Sequence, residues 1–139
     1  MKLLDEFKSN IKILEMFHYI YGGICCFFGL FPIFHIVIGI LILTNAFPHS
    51  NQGQELPKFF GYIFVIAGSI ILLFSQTLGV LTIISGRKIA KLKSRNFSLV
   101  IAGINCIGFP FGTVLGVFAL MMLTKDEAKI LYGEINQNE

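Results

Sequence analysis

The 11 basic and 8 acidic side chains of this chain all fall outside three long uncharged stretches. No Asp, Glu, Lys or Arg occurs between Glu15 and Glu55, between Lys58 and Arg87, or between Arg95 and Lys125. Each stretch exceeds the roughly 20 apolar residues that carry a helix across a ~30 Å hydrocarbon core. A chain patterned this way is expected to fold in lipid. It reads as an all-α integral membrane protein with three transmembrane helices. Composition agrees, because 14% of the residues are charged where a soluble domain carries about 25%. The expectation is one membrane domain over residues 1–139, with connections too brief for a separate catalytic domain.

Residues 1–18 read as an amphipathic helix at the membrane surface. Leu3, Leu4, Phe7, Ile11, Leu14 and Phe17 recur at spacings of three and four, and charged residues mostly fill the other face. The first span is expected over 19–43. Gly22-Gly23 would turn the chain from the surface into the bilayer, and Pro32 would kink the helix by removing a backbone donor. Its apolar core is too long for a signal peptide, so it reads as an uncleaved anchor. Residues 44–58 read as a polar loop punctuated by Pro48, Gly53 and Pro57. The second span, 59–84, is dense in Leu, Ile, Val and Phe and is expected to insert readily. The third, 97–123, is expected as one helix kinked at Pro110. Its rival is a re-entrant hairpin turning at 110–112, whose turn would have to be covered by protein or reached by water. Residues 124–139 read as a short helix and tail. Thr124 and Glu127 have the spacing of a capping box, and Gly133 suits the position just past the helix end.

The segment 85–98 holds Arg87, Lys88, Lys91, Lys93 and Arg95 without an acid. Between two spans this reads as a cytoplasmic loop obeying the positive-inside bias, attracted to anionic headgroups, rather than as a nucleic-acid site. The amino terminus is then cytoplasmic. The 44–58 loop and, with three full spans, the carboxyl tail would lie outside. Cys25, Cys26 and Cys106 sit in apolar stretches and suggest no disulfide framework.

Gly108, Gly112 and Gly116 are spaced to lie on one helix face, where a neighbouring backbone can approach closely. Gly61 and Gly68 begin a comparable small-residue stripe in the second span. The polar residues of interest within the spans are His35, Gln76, Asn105 and Thr113. Gln76 and Asn105 fall at similar depth and are expected to meet in an interhelical hydrogen bond. His35 falls near the level of Thr113. Its imidazole would be satisfied by a hydroxyl or a carbonyl, with Pro32 releasing that of Phe28. A structural clamp is the plainer role for each. No metal-ligand spacing, nucleotide loop or hydrolase motif occurs, and the spans lack the acids of ion-coupled transport. Neither cofactor nor enzymatic activity is expected.

The runs FHYIYGG (17–23) and SLVIAGINCIGFPFGTVLGVFALMMLT (98–124) resemble a group of small bacterial integral membrane proteins of unknown function. There an early Phe-His-Tyr accompanies a later Cys, Pro-Phe-Gly-Thr and Leu-Gly-Val-Phe. Cys106, Pro110, Phe111, Gly112, Thr113, Leu115, Gly116, Val117 and Phe118 carry the match. The resemblance implies bacterial origin and a shared helical fold, and no activity comes with it. The functional expectation is a structural or regulatory helix-packing module that associates with itself or with another membrane protein. The alternative is a small oligomeric channel or transporter lined by Gln76 and Asn105.

Overall fold

Six helices and no strand make up the described residues: α1 (Lys2–Phe28), α2 (Pro32–Leu43), α3 (Lys58–Ala90), α4 (Arg95–Asn105), α5 (Phe111–Leu123) and α6 (Asp126–Leu131). The computed structural model describes residues 2–46, 57–108 and 110–134. Most of the 44–58 loop and the last residues of the tail lie outside that set. Two stretches, Asp5–Leu43 and Lys58–Ala90, are long and apolar enough to cross a membrane.

The amino-terminal third departs from expectation. α1 runs unbroken through Gly22-Gly23, so no turn separates a surface helix from a span. The break falls instead at Gly29–Phe31, and Pro32 opens α2, where its missing N–H costs nothing. The stripe Phe7, Ile11 and Leu14 does not await headgroups either, because protein buries it.

The third uncharged stretch is not one kinked helix. It folds back on itself as α4, a short turn and α5. A Cβ built on Gly116 would lie 2.6 Å from Cys106 Sγ and would also meet the Ala102 carbonyl. Residues ten and fourteen apart touch in this way only if the chain has reversed. At 1.5 Å per residue, α4 and α5 span only about 16 and 20 Å, short of a ~30 Å core. The physical reason is Pro110, which has no N–H to continue the helix, in a run with Gly108 and Gly112.

The chain divides into two compact units, residues 1–23 with 79–139, and residues 24–78. The larger has an apolar core. Phe7, Ile11 and Leu14 of α1 meet Ile89 of α3, Ala102 of α4, Leu115, Ala119, Met122 and Leu123 of α5, and Ala128 of α6. A four-residue turn joins α3 to α4, with Leu92 and Ser94 at φ 50° and 53°, in the left-handed region. α6 begins one residue later than the capping box predicts. Lys125 is its N-cap, and the Thr124 hydroxyl turns back to donate to the Leu120 carbonyl at 2.7 Å. Gly133 ends it at φ 70°, as its position suggested.

The smaller unit pairs the end of α1 and all of α2 with the first part of α3. A Cβ on Gly39 would lie 2.8 Å from the Gly61 carbonyl oxygen, and one on Gly61 would lie 3.0 Å from that of Gly39. Gly68 meets Pro32, His35 and Ile36. The buried residues of this unit are Gly29, Pro32, Gly39, Ile42, Gly61 and Gly68. Its large apolar side chains point outward, among them Phe34, Ile66, Ile70 and Leu73.

Candidate functional site

Three polar side chains of the apolar stretches, Ser75, Gln76 and Thr113, serve the two proline breaks, and each break can be followed carbonyl by carbonyl. At the first, Leu30 N–H donates to Phe27 O at 3.2 Å and Ile33 N–H to Leu30 O at 3.0 Å. These are tightened three-residue bonds, so the carbonyls of Cys26 and Gly29 lose their usual donors four residues on. Side chains of α3 replace them. Gln76 Nε2 donates to Cys26 O at 2.9 Å, and Ser75 Oγ to Gly29 O at 3.3 Å. Gly29 is glycine because these groups crowd it, at 2.8 Å for Ser75 Oγ and 3.0 Å for Gln76 Nε2 from a built Cβ. The Phe28 carbonyl accepts from Phe31 N–H at 3.0 Å, so it is not left for His35.

At the second break Pro110 would normally serve the carbonyl of Cys106, four residues before it, and has no hydrogen to give. Thr113 Oγ1 supplies one at 2.8 Å. A carbonyl left bare in hydrocarbon costs several kcal/mol, and this hydroxyl removes that cost with one bond inside the hairpin. The Tyr21 hydroxyl packs directly over Gly108 and Gly112, which are both small enough to admit it.

Gln76 and Asn105 do not bond each other. Asn105 Oδ1 accepts from Thr82 Oγ1 at 3.1 Å, a pair joining α3 to α4 within the larger unit, whereas Gln76 serves a carbonyl of the smaller one. Matching depth did not predict the partner, because each amide is drawn to the group nearest its own helix face. His35 is exposed. It stacks on Phe64 at 5.9 Å between centroids and meets Phe31 edge-on at the same distance.

All five packing glycines expected from the sequence stand against a neighbouring element of the same chain. For Gly108, Gly112 and Gly116 the neighbours are Tyr21, Asn105, Ala102 and Cys106. That face is therefore occupied from within. Among the described helical glycines, Gly23 and Gly103 have nothing within 4 Å of a built Cβ.

Sequence reasoning overlooked a buried polar seam in the larger unit, formed by His18, Thr82, Ser85, Ser98 and Asn105. His18 Nδ1–H donates to Leu14 O at 2.9 Å, and the His18 Cβ lies 3.0 Å from a Cβ built on Gly86. The signal was available as spacing. Thr82, Ser85, Gly86 and Ile89 share one face of α3, and Ser98, Ala102 and Asn105 share one face of α4.

At the charged end, Arg95 fastens the base of the hairpin. Its Nε donates to Glu134 Oε1 at 3.0 Å, one terminal nitrogen lies 2.5 Å from Oε2, and the other donates to the Leu123 carbonyl at 3.1 Å. Lys88 lies over the Phe97 ring at 3.9 Å. Among the described residues no group of His, Cys, Asp and Glu is arranged to hold a metal ion. Comparison with protein-family models, curated proteins and solved structures finds no match.

Proposed function

We propose that the chain is a multi-pass protein of the bacterial inner membrane that serves as a structural or regulatory partner of another membrane protein. On this reading it is not an enzyme. The amino terminus and the basic 85–98 segment, which is the end of α3, the 91–94 turn and the start of α4 rather than a loop, lie in the cytoplasm, with Arg87, Lys88, Lys91 and Lys93 turned toward anionic headgroups. The observation that carries the reading is the inverted packing of the smaller unit. Glycines fill its interior and large apolar side chains cover its outside, an order that lowers free energy only where the surroundings are lipid. The polar side chains support it too, since Gln76, Ser75 and Thr113 serve the chain's own backbone. A pore lined by Gln76 and Asn105 would need both amides turned away from the partners they hold.

With the Gly108–Gly112–Gly116 face filled internally, the surfaces left for a partner are the outward apolar faces. Extraction from native membranes in a mild detergent tests the proposal. The expected particle is larger than one chain in its micelle and contains a second membrane protein recovered by crosslinking. A particle of one chain alone, before and after crosslinking, refutes it. Release of the chain from membranes by an alkaline wash would remove the membrane assignment itself.

A further inference from the structure

All the basic residues except Lys58 belong to the larger unit. Within it they gather at one end. The first turns of α1, the α3–α4 turn, the base of the hairpin and α6 all carry them. Gly86 meets His18 and Glu15 while Gly22 meets Gly79 and Ile83, so α1 runs antiparallel to α3 and its charged first turns reach past the end of α3 toward the α3–α4 turn. The Arg95 contacts to Leu123 and Glu134 tie the exit of α5 and the start of the tail to the entry of α4.

From that end the hairpin carries no charge between Arg95 and Lys125. Its far end is apolar and bare, with Ile107 84% and Phe111 76% exposed. Its backbone is nonetheless largely satisfied. Cys106 and Ile107 N–H donate to Ala102 and Ile104 O, both at 3.1 Å. Gly108 N–H donates to Asn105 O at 2.9 Å and Gly112 N–H to Gly108 O at 2.7 Å. Thr113 covers the carbonyl orphaned by Pro110. A turn at membrane depth has to be shielded by other protein or by water, and here Thr113 from within the hairpin and Tyr21 of α1 do so.

We propose that the α4–α5 hairpin enters the bilayer from the cytoplasmic side, reaches about halfway across the ~30 Å core, and returns. Ile107, Phe111 and Val114 at its apolar tip are then bathed by lipid acyl chains. Residues after α5 lie on the same side as the basic loop and the amino terminus. The positive-inside bias strengthens accordingly, because every basic residue but Lys58 falls on one side, whereas a full third span would send Lys125 and Lys129 across. The inference rests on the membrane reading above and refines its topology.

The test uses the full chain with Cys25, Cys26 and Cys106 replaced by alanine and single cysteines introduced by Lys93→Cys, Lys125→Cys and Ala46→Cys. In spheroplasts, a membrane-impermeant maleimide should label Ala46→Cys at once. Lys93→Cys and Lys125→Cys should react only after the membrane is opened. Lys125→Cys reacting together with Ala46→Cys means a complete crossing and overturns the proposal. A second measurement exploits the absence of tryptophan from the chain. Phe111→Trp and, as a control in the smaller unit, Phe34→Trp are placed in vesicles of lipids brominated along the acyl chain. Both should lose fluorescence. Loss for Phe34→Trp alone overturns the hairpin's insertion and leaves the membrane reading standing. Loss for neither removes the membrane reading and the proposal with it.

Discussion

The two units of this chain solve the same packing problem in opposite ways. In the larger one, four helices and the start of α1 enclose Leu14, Ile89 and Leu123. A cluster of large side chains is inside, as in a protein folded from water. In the smaller one four of the six buried described residues are glycine, and most large side chains face out. The difference teaches where each fold draws its free energy. At its charged end the larger unit gains from removing the apolar area of Phe7, Ile11, Leu14, Ile89 and Leu123 from water. The smaller unit has little such area to remove, so close backbone approach and dispersion contacts must hold it together.

The sharpest way to break that contrast is to truncate one large apolar residue in each unit. Leu14→Ala empties a fully buried site and should cost about 2–5 kcal/mol of folding stability, read by unfolding in mixed micelles. Phe34→Ala, 64% exposed, should change the same measurement by less than about 0.5 kcal/mol. Equal losses would mean that Phe34 is packed against protein beyond its contact with the Phe31 ring.

Next comes the reverse experiment, adding bulk. Gly61→Leu drives a side chain into the backbone around Gly39 and into Leu43, and should destabilise by about 1–3 kcal/mol. Gly103→Ala meets nothing within 4 Å and should stabilise α4 by about 0.5–1 kcal/mol, the usual helix preference for alanine. Agreement between these two signs would show that a glycine's neighbours, and not its frequency in membrane helices, decide its role.

The smallest effect lies at the charged end. Burial pushes the Tyr132 phenol up to about 12, against the opposing pull of the Arg95 charge and with a smaller push from Glu134. An unfolded phenol ionises near 10. The folded state therefore holds the proton longer, and this contribution to stability is complete below pH ~10 and is lost as pH rises from ~10 to 12. Comparing wild type with Tyr132→Phe across that window isolates it. The variant should decline less steeply with pH, and parallel curves would show that the phenol is not buried in solution.

Much of the fold was legible because lipid imposes a strong rule on charge. The absence of Asp, Glu, Lys and Arg marked both membrane-length helices and the third apolar stretch. Pro32 and Pro110 were expected to kink continuous helices, and the structure has a break at each. What the breaks become was not legible, since the outcome depends on where replacement donors stand. At Pro32, Gln76 and Ser75 reach in from another helix and the chain continues onward. At Pro110, Thr113 reaches back from the following turn and the chain reverses. Gln76 was expected to bond Asn105 and bonds the Cys26 carbonyl instead, because depth along a helix says nothing about the angle at which a side chain leaves it.

The bond from Gln76 to the Cys26 carbonyl also makes two distant positions answerable to each other in heredity. Losing the amide alone, as in Gln76→Leu, strands an acceptor in oil. An ordinary residue at position 32 supplies an N–H to the Phe28 carbonyl, and without the proline ring the tightened turn can relax so that Leu30 N–H returns from Phe27 O to Cys26 O. Pro32→Ala should therefore act as a suppressor of Gln76→Leu.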